Sequence, residues 1–221
     1  MIKVIHYCWF GGANKPSIVL QYIQTWKRLM PDFEIREWNE NNFDINQCAF
    51  ASQAYYFRKF AFVSDYVRMK VLYEYGGLYL DTDIKLLKSL APLCCDGDFI
   101  GLESDGCYGT GIMYAEPKAL WVKSMIDYYE KHSFVRFGGM LRTTPNTHLL
   151  TKFFPNNTIN IIVYPFDYLT AKDWKTGEYM ITENTFCIHD YAKSWTKSKG
   201  KNHGVKFRLC NMLGFLKWLF K

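Results

Sequence analysis

What is missing from this 221-residue chain narrows its class before any motif does. No cysteine pair has metal-ligand spacing: the seven cysteines are scattered, and adjacent Cys94-Cys95 cannot form a C-x-x-C clamp, which argues against a thiolate zinc site. Free thiols in a reducing compartment are expected instead. No linker, low-complexity tract or internal repeat divides the chain, so it reads as one domain. Met1-Ile2-Lys3-Val4-Ile5-His6-Tyr7 enters an apolar strand pattern at once, without the basic region, long apolar core and cleavage site of a secretory leader, and a cytoplasmic location is expected. Acidic residues are absent after Asp190, where Lys193, Lys197, Lys199, Lys201, Lys206, Arg208, Lys217 and Lys221 concentrate positive charge.

Apolar and aromatic residues are plentiful. Hydrophobic residues make up 49% of the chain and aromatic ones 18%, enough buried ring area to offset chain entropy and exclude disorder. The net charge of +6 suits an anionic partner: nucleic acid, a nucleoside diphosphate or an acidic membrane face. Charge alone does not choose among them. The segment 205–221 mixes Phe207, Leu209, Leu213, Phe215, Leu216 and Trp218 with basic residues; it is too short and too charged to span a bilayer. It suits an amphipathic helix on anionic lipid, with packing against the domain as the rival.

Residues 2–10 read as a buried strand ending at Gly11-Gly12. Pro16 opens a helical pattern with Ile18, Tyr22, Ile23 and Trp26 at helix spacing, and 33–38 resumes as a strand, giving a β-α-β unit with a parallel sheet. Residues 51–75 read as one helix, with Val63, Val67 and Val71 as its core stripe and Gly76-Gly77 as its C-cap. A strand over 78–84, strands over 98–102, 111–114 and 159–164, and a helix over 119–131 complete the pattern.

Within the strand at 78–84, alternation would project Asp81 and Asp83 to one side. Paired carboxylates at an exposed strand end repel each other, and a divalent cation that also takes substrate phosphates, Mn²⁺ or Mg²⁺, is the usual reason to place them together. Such an ion stabilises charge on a departing nucleoside diphosphate. A bare D-x-D is common by chance. Ser64, Asp65 and Arg68 strengthen it, since their i,i+3 and i,i+4 spacing puts a carboxylate and a guanidinium on one helix face, a pairing suited to sugar hydroxyls.

The stretch from Ser64-Asp65-Tyr66-Val67-Arg68 through Tyr75-Gly76-Gly77-Leu78-Tyr79-Leu80-Asp81-Thr82-Asp83 resembles the D-x-D sugar-binding region of glycosyltransferase family 32. Ile5-His6-Tyr7-Cys8-Trp9-Phe10-Gly11-Gly12 resembles that family's I-H-x-x-W-x-G opening, and His189-Asp190-Tyr191-Ala192-Lys193-Ser194-Trp195 its H-x-x-x-S-W type ending. The resemblance implies a GT-A type nucleotide-diphospho-sugar transferase fold, an α/β arrangement with a mixed, mostly parallel central sheet flanked by helices, over 1–204, followed by the basic tail 205–221. It implies a base-stacking role for Trp9, ribose contact for Ser64 and sugar hydroxyls for Asp65 and Arg68. Asp81 and Asp83 become the catalytic pair, Asp81 on sugar or ribose and on the cation, Asp83 as the firmest ligand. His189 would add a nitrogen ligand or bind the diphosphate, with Ser194 and Trp195 as a flap over the phosphates.

Glu103, Asp105, Tyr108, Thr110 and Gly111 are expected on the acceptor side, without a decisive motif. The implied reaction is metal-dependent transfer of a hexosyl group from a nucleoside diphosphate sugar, a UDP-sugar first, to a glycan or lipid-linked glycan hydroxyl, with retention. Tail, start and composition point to bacterial surface-polysaccharide (capsule) synthesis at the inner membrane face. Nucleic acid is not expected as a partner. Two other readings remain: a haloacid dehalogenase-like phosphohydrolase, disfavoured because a β-α-β unit precedes the D-x-D and no later Asp-Asp follows, and a catalytically silent membrane-associated binding module.

Overall fold

The computed structural model describes residues 1–155, 159–191 and 205–219. Strand β1 (Val4–Cys8) leads through the Gly11-Gly12 turn into helix α1 (Ser17–Leu29), and β2 (Glu34–Trp38) returns parallel to β1, so the expected β-α-β unit forms. Pro16 sits where its missing N–H costs nothing, and Lys27 and Arg28 in the last turn oppose the helix dipole. The buried face of α1 is Val19, Tyr22, Ile23 and Trp26; Ile18, expected inside, is 46% exposed, because the true stripe starts one residue later.

The helix expected over 51–75 is two helices, α2 (Ala49–Tyr56) and α3 (Phe60–Tyr75), separated by a turn in which Arg58 takes φ +55°. No proline or glycine marks that break, so the sequence pattern ran through it. Gly76 (φ +65°) ends α3 as expected. Next come β3 (Gly77–Leu80), β4 (Ile84–Leu86), α4 (Ala91–Cys95), β5 (Phe99–Leu102), β6 (Tyr108–Ala115), α5 (Leu120–Glu130), α6 (Asn146–Phe153), β7 (Ile162–Tyr164), α7 (Phe166–Leu169), β8 (Cys187–His189) and α8 (Val205–Leu219).

Six strands form a sheet in the order β2-β1-β3-β6-β5-β7, in which β6 alone runs against the others. This is the mixed, mostly parallel sheet flanked by helices expected for a GT-A type fold. Alternation along the strands divides the core between two faces: Ile5, Tyr7, Leu78, Leu80, Ile112 and Tyr114 pack with Val19, Ile23 and Trp26 of α1. Cys8, Tyr79, Met113 and Ala115 pack on the other face with residues of α2, α3 and α5. Covered on both faces, β1, β3 and β6 read as nearly continuous apolar runs.

His6, in the middle of β1, is fully buried and clamps three segments together. Its Nε2 lies 2.9 Å from the Gly76 carbonyl, and its Nδ1 accepts from Trp38 Nε1 at 3.0 Å. Those bonds fix a neutral imidazole. Burial is the largest influence on it and lowers its pKa, the bond to Gly76 only partly countering this, so that the value falls to about 4.

Helix α8 lies against α2: Trp218 Nε1 donates to Ser52 Oγ at 3.1 Å and Asn211 Nδ2 to the Gly139 carbonyl at 3.0 Å. Met212, Leu213, Leu216 and Leu219 are exposed. Among the described residues no helix is long and apolar enough to cross a membrane.

Candidate active site

Because β1 has parallel neighbours on both sides, reached by connections running in opposite directions, the sheet changes direction there, and a crevice is expected beyond the carboxyl ends of β1 and β3. Trp9 follows β1 and Asp81 follows β3.

Asp81-Thr82-Asp83 is not extended strand, as expected from alternation, but a turn between β3 and β4 in which the Ile84 N–H donates to the Asp81 carbonyl at 3.1 Å. The two carboxylates converge by a different route. The Asp81 N–H donates to the Gly111 carbonyl at 2.8 Å, while the Asp190 N–H donates to the Asp83 carbonyl at 3.0 Å. Pairing of β4 with β8 sets Ile84 opposite His189. One ligand atom each from Asp81, Asp83 and His189 thereby falls within 4.8 Å of the others.

Two carboxylate oxygens and an imidazole nitrogen suit Mn²⁺, and Mg²⁺ less well. Three observations favour a cation at this corner. His189 is 8% exposed, its Nε2 lies 3.2 Å from Asp83 Oδ1, and its buried Nδ1 has no hydrogen-bond partner among the described residues. A Cβ at Gly111 would stand 3.0 Å from His189 Cε1 and 3.1 Å from Asp81 Oδ2, so the glycine keeps the corner open. Although burial lowers the His189 pKa, the charge and hydrogen bond of Asp83, with the charges of Glu103 and Asp81, raise it to about 9. The acids thus hold a proton on His189, which a bound cation would displace in freeing the imidazole as a ligand.

Arg68 forms the wall beside the acids. It is 5% exposed and reaches Asp65 Oδ1 at 3.3 Å, Asp81 Oδ2 at 3.1 Å, the Ser64 carbonyl at 3.2 Å and the Thr110 carbonyl at 2.7 Å. Tyr79 packs under its guanidinium and donates to Asp81 Oδ1 at 2.9 Å. The Asp65–Arg68 pair is thus buried in the site and not on the surface. Burial pushes the Asp65 carboxyl up to about 7 against the pull of Arg68, with Asp81 adding to the rise.

The half-buried Trp9 is latched by its Nε1 to the Ala13 carbonyl at 2.6 Å, and Lys15 Nζ lies 5.7 Å from its ring centroid. Past it, the Gly11 N–H donates to Glu40 Oε1 at 2.5 Å, and a Cβ at Gly11 would strike Phe60. An open cleft of about 920 Å³ adjoins this turn, lined by Gly11, Tyr55, Tyr56, Arg58, Phe60 and Trp218 among others. Ser194 and Trp195 lie outside the described residues.

Several groups at the site make contacts that no pattern in the sequence indicated. Tyr191, with φ +49°, stacks on His189 at 4.0 Å between ring centroids and donates to the buried carboxylate of Glu103. Burial raises the Glu103 pKa, partly offset by His189. Glu103 and Gly111, expected on the acceptor side, therefore support the metal corner. Thr110 Oγ1 donates to Asn146 Oδ1 at 2.7 Å.

Residues 16–101 match the family model of a glycosyltransferase sugar-binding region containing a D-x-D motif. The chain is a glycosyltransferase. No curated protein matches it. Among solved structures, it is similar to a glycosyltransferase involved in glycosylation of the major capsid of PBCV-1, at 12% identity over 84% of this chain and 92% of that one, with a TM-score of 0.50, which supports the shared fold. The galactosyltransferase LgtC, solved with donor and acceptor sugar analogues, aligns at 14% identity over 94% of both chains with a TM-score of 0.49. The PaToxG glycosyltransferase aligns at 18% identity over 57% of this chain, with a TM-score of 0.46; the alignment spans 59% of that protein. In this glycosyltransferase the matched region holds Ser64, Asp65, Arg68, Asp81 and Asp83, whereas Trp9, Gly111 and His189 lie outside it.

Proposed function

We propose that this glycosyltransferase moves a hexosyl group from a UDP-sugar to a hydroxyl of a glycan, with retention of configuration, using Mn²⁺ or Mg²⁺ held by Asp83, Asp81 and His189. The observation that carries the proposal is the convergence of these three ligand groups directly beside the buried Asp65–Arg68 pair. A bound cation would supply charge stabilisation for the diphosphate as it departs.

The chain's own groups do the rest. The indole of Trp9, at the mouth of the glycine turn, offers a stacking face to the base, with Ser64 at the ribose. Asp65 accepts from sugar hydroxyls, and Arg68, with Asp81 anchoring its far side, donates to hydroxyl or phosphate oxygens. For retention, the acceptor oxygen attacks the anomeric carbon on the face the diphosphate leaves. The new carbon–oxygen bond forms as the old one breaks, and the acceptor's proton passes to the departing phosphate oxygen. Ser194 and Trp195 are proposed to cover the phosphates.

A lipid-linked acceptor in bacterial surface-polysaccharide (capsule) synthesis fits a protein peripheral on the inner membrane face. We infer that the tail 205–221 works there as a unit distinct from 1–204. The exposed Met212, Leu213, Leu216 and Leu219 would enter the headgroup region with the exposed Lys217 near them, while Trp218 and Asn211 keep α8 on the domain. Truncation after Gly204 should abolish sedimentation with anionic liposomes and leave donor hydrolysis largely intact; undiminished sedimentation sinks the membrane role. For the enzyme reading, cation-dependent hydrolysis of a UDP-sugar, lost in Asp83→Ala, is the expected result.

A further inference from the structure

Beyond α5, Arg136-Phe137-Gly138-Gly139-Met140 forms a tight turn: the Arg136 N–H donates to the Met140 carbonyl at 2.7 Å and the Gly139 N–H to the Arg136 carbonyl at 3.0 Å. Gly138 and Gly139 take φ of +80° and +76°, a backbone that glycine alone enters without strain, and Phe137 stands at the tip, 104% exposed. A Cβ on Gly138 would meet nothing within 4 Å, so the tip projects clear of the domain. A single exposed apolar residue needs no explanation, but Phe137 is not isolated.

Helix α8 adjoins the turn. The buried Asn211 amide reaches the Gly139 carbonyl at 3.0 Å, which brings the exposed Met212 and Leu213 close to the exposed Met140. One face of α8 is spent on the domain: a Cβ at Gly214 would stand 2.9 Å from the Phe57 ring, Phe215 packs on the core and Trp218 bonds Ser52. Leu216 and Leu219 continue the outer stripe begun by Met212 and Leu213, and the turn extends it onto the domain. The charge around this surface has one sign. Residues 131–166 contain no Asp or Glu but hold Lys131, Arg136, Arg142 and Lys152, and acids are absent again after Asp190. Lys131, Arg136 and Lys217 are exposed.

We propose that the 136–140 turn is a second membrane-inserting element, with Phe137 entering an anionic lipid surface beside the outer stripe of α8. This rests on the membrane reading of the tail given above. A convex tip that carries one large ring among cations suits a soft anionic surface, whereas a protein partner would have to offer it a fitted pocket. The bonds within the turn and from Asn211 occupy polar groups of Arg136, Gly139 and Met140, which lowers the cost of entering an apolar medium. Stable attachment takes two signals, and here they lie on separate segments, so neither anchors the chain alone and together they fix its orientation.

The test is co-sedimentation of the full chain with phosphatidylcholine vesicles, with and without phosphatidylglycerol, for wild type and Phe137→Ser, with Phe137→Trp as a reporter of depth. Phe137→Ser should bind the anionic vesicles at least about tenfold more weakly, with its melting temperature unchanged because the ring is uncovered in the fold. In difference spectra against wild type, the indole of Phe137→Trp should move to shorter wavelength on those vesicles and be quenched by brominated acyl chains. If Phe137→Ser binds like wild type and the Phe137→Trp emission stays put, the inference falls while the role of the tail stands. Self-association without lipid that Phe137→Ser abolishes also overturns it, in favour of a protein partner. Failure of the wild type to bind the anionic vesicles overturns the membrane reading of the tail, and the inference with it.

Discussion

A methyl group at Gly111 would press on both Asp81 and His189, at 3.1 and 3.0 Å. Unlike Gly76 or Gly77, Gly111 has no positive φ to preserve, so alanine there tests space and not backbone strain. Gly111→Ala is expected to weaken Mn²⁺ binding about tenfold or more with little change in melting temperature. Unchanged affinity by calorimetry contradicts the placement of the cation. The acids and the arginine were legible in sequence because they sit close together in one contiguous motif, and His189 because its ending resembles a known one. Gly111, Tyr79 and Tyr191 were not, since their roles arise from β3–β6 pairing, from packing under Arg68 and from a left-handed turn, none of which leaves a local pattern.

Segments that had to bend show the limits of periodicity. The turn between α2 and α3 forces Arg58 into the left-handed region without a glycine to announce it. Arg58→Gly should relieve that strain, with the glycine's added chain entropy cancelling part of the gain, for a net change of roughly 0 to 1 kcal/mol in stability. Gly77→Ala should do the reverse: φ is +100° and a Cβ would stand 2.8 Å from the Val4 carbonyl, inside the β1–β3 pairing. A loss of roughly 3 kcal/mol is expected, read from urea midpoints, and a neutral Gly77→Ala contradicts the register. The Asp81–Asp83 segment makes the related point. Sequence foresaw the meeting of two carboxylates but credited strand alternation, where a turn pinned by Gly111 and Asp190 is responsible.

Stability of the whole molecule carries the imprint of its buried ionisable groups. His6, with a pKa of about 4 in the fold and 6.5 unfolded, contributes stability that is present above about pH 6.5 and is lost as pH falls toward 4, about 3 kcal/mol in all. Asp65, raised from 3.8 to about 7, acts with opposite sign, its contribution being full at low pH and lost as pH rises through 7. The two oppose each other over the same window. His6→Gln, which can keep a donor and an acceptor in place, should therefore gain stability relative to wild type on going from pH 6.5 to 4; a parallel profile contradicts a neutral His6. The order of the sheet was beyond the sequence, because β6 inserts antiparallel between β3 and β5 through contacts distant along the chain. That insertion is what brings Thr110 and Gly111 to the site. The central claim is that Asp81, Asp83 and His189 hold a cation for turnover of a nucleoside diphosphate sugar. It is tested most directly by UDP-sugar hydrolysis with and without Mn²⁺ in the wild type and in Asp83→Ala. Turnover that requires the metal and vanishes in the variant is predicted; turnover indifferent to chelator, or retained by Asp83→Ala, contradicts it.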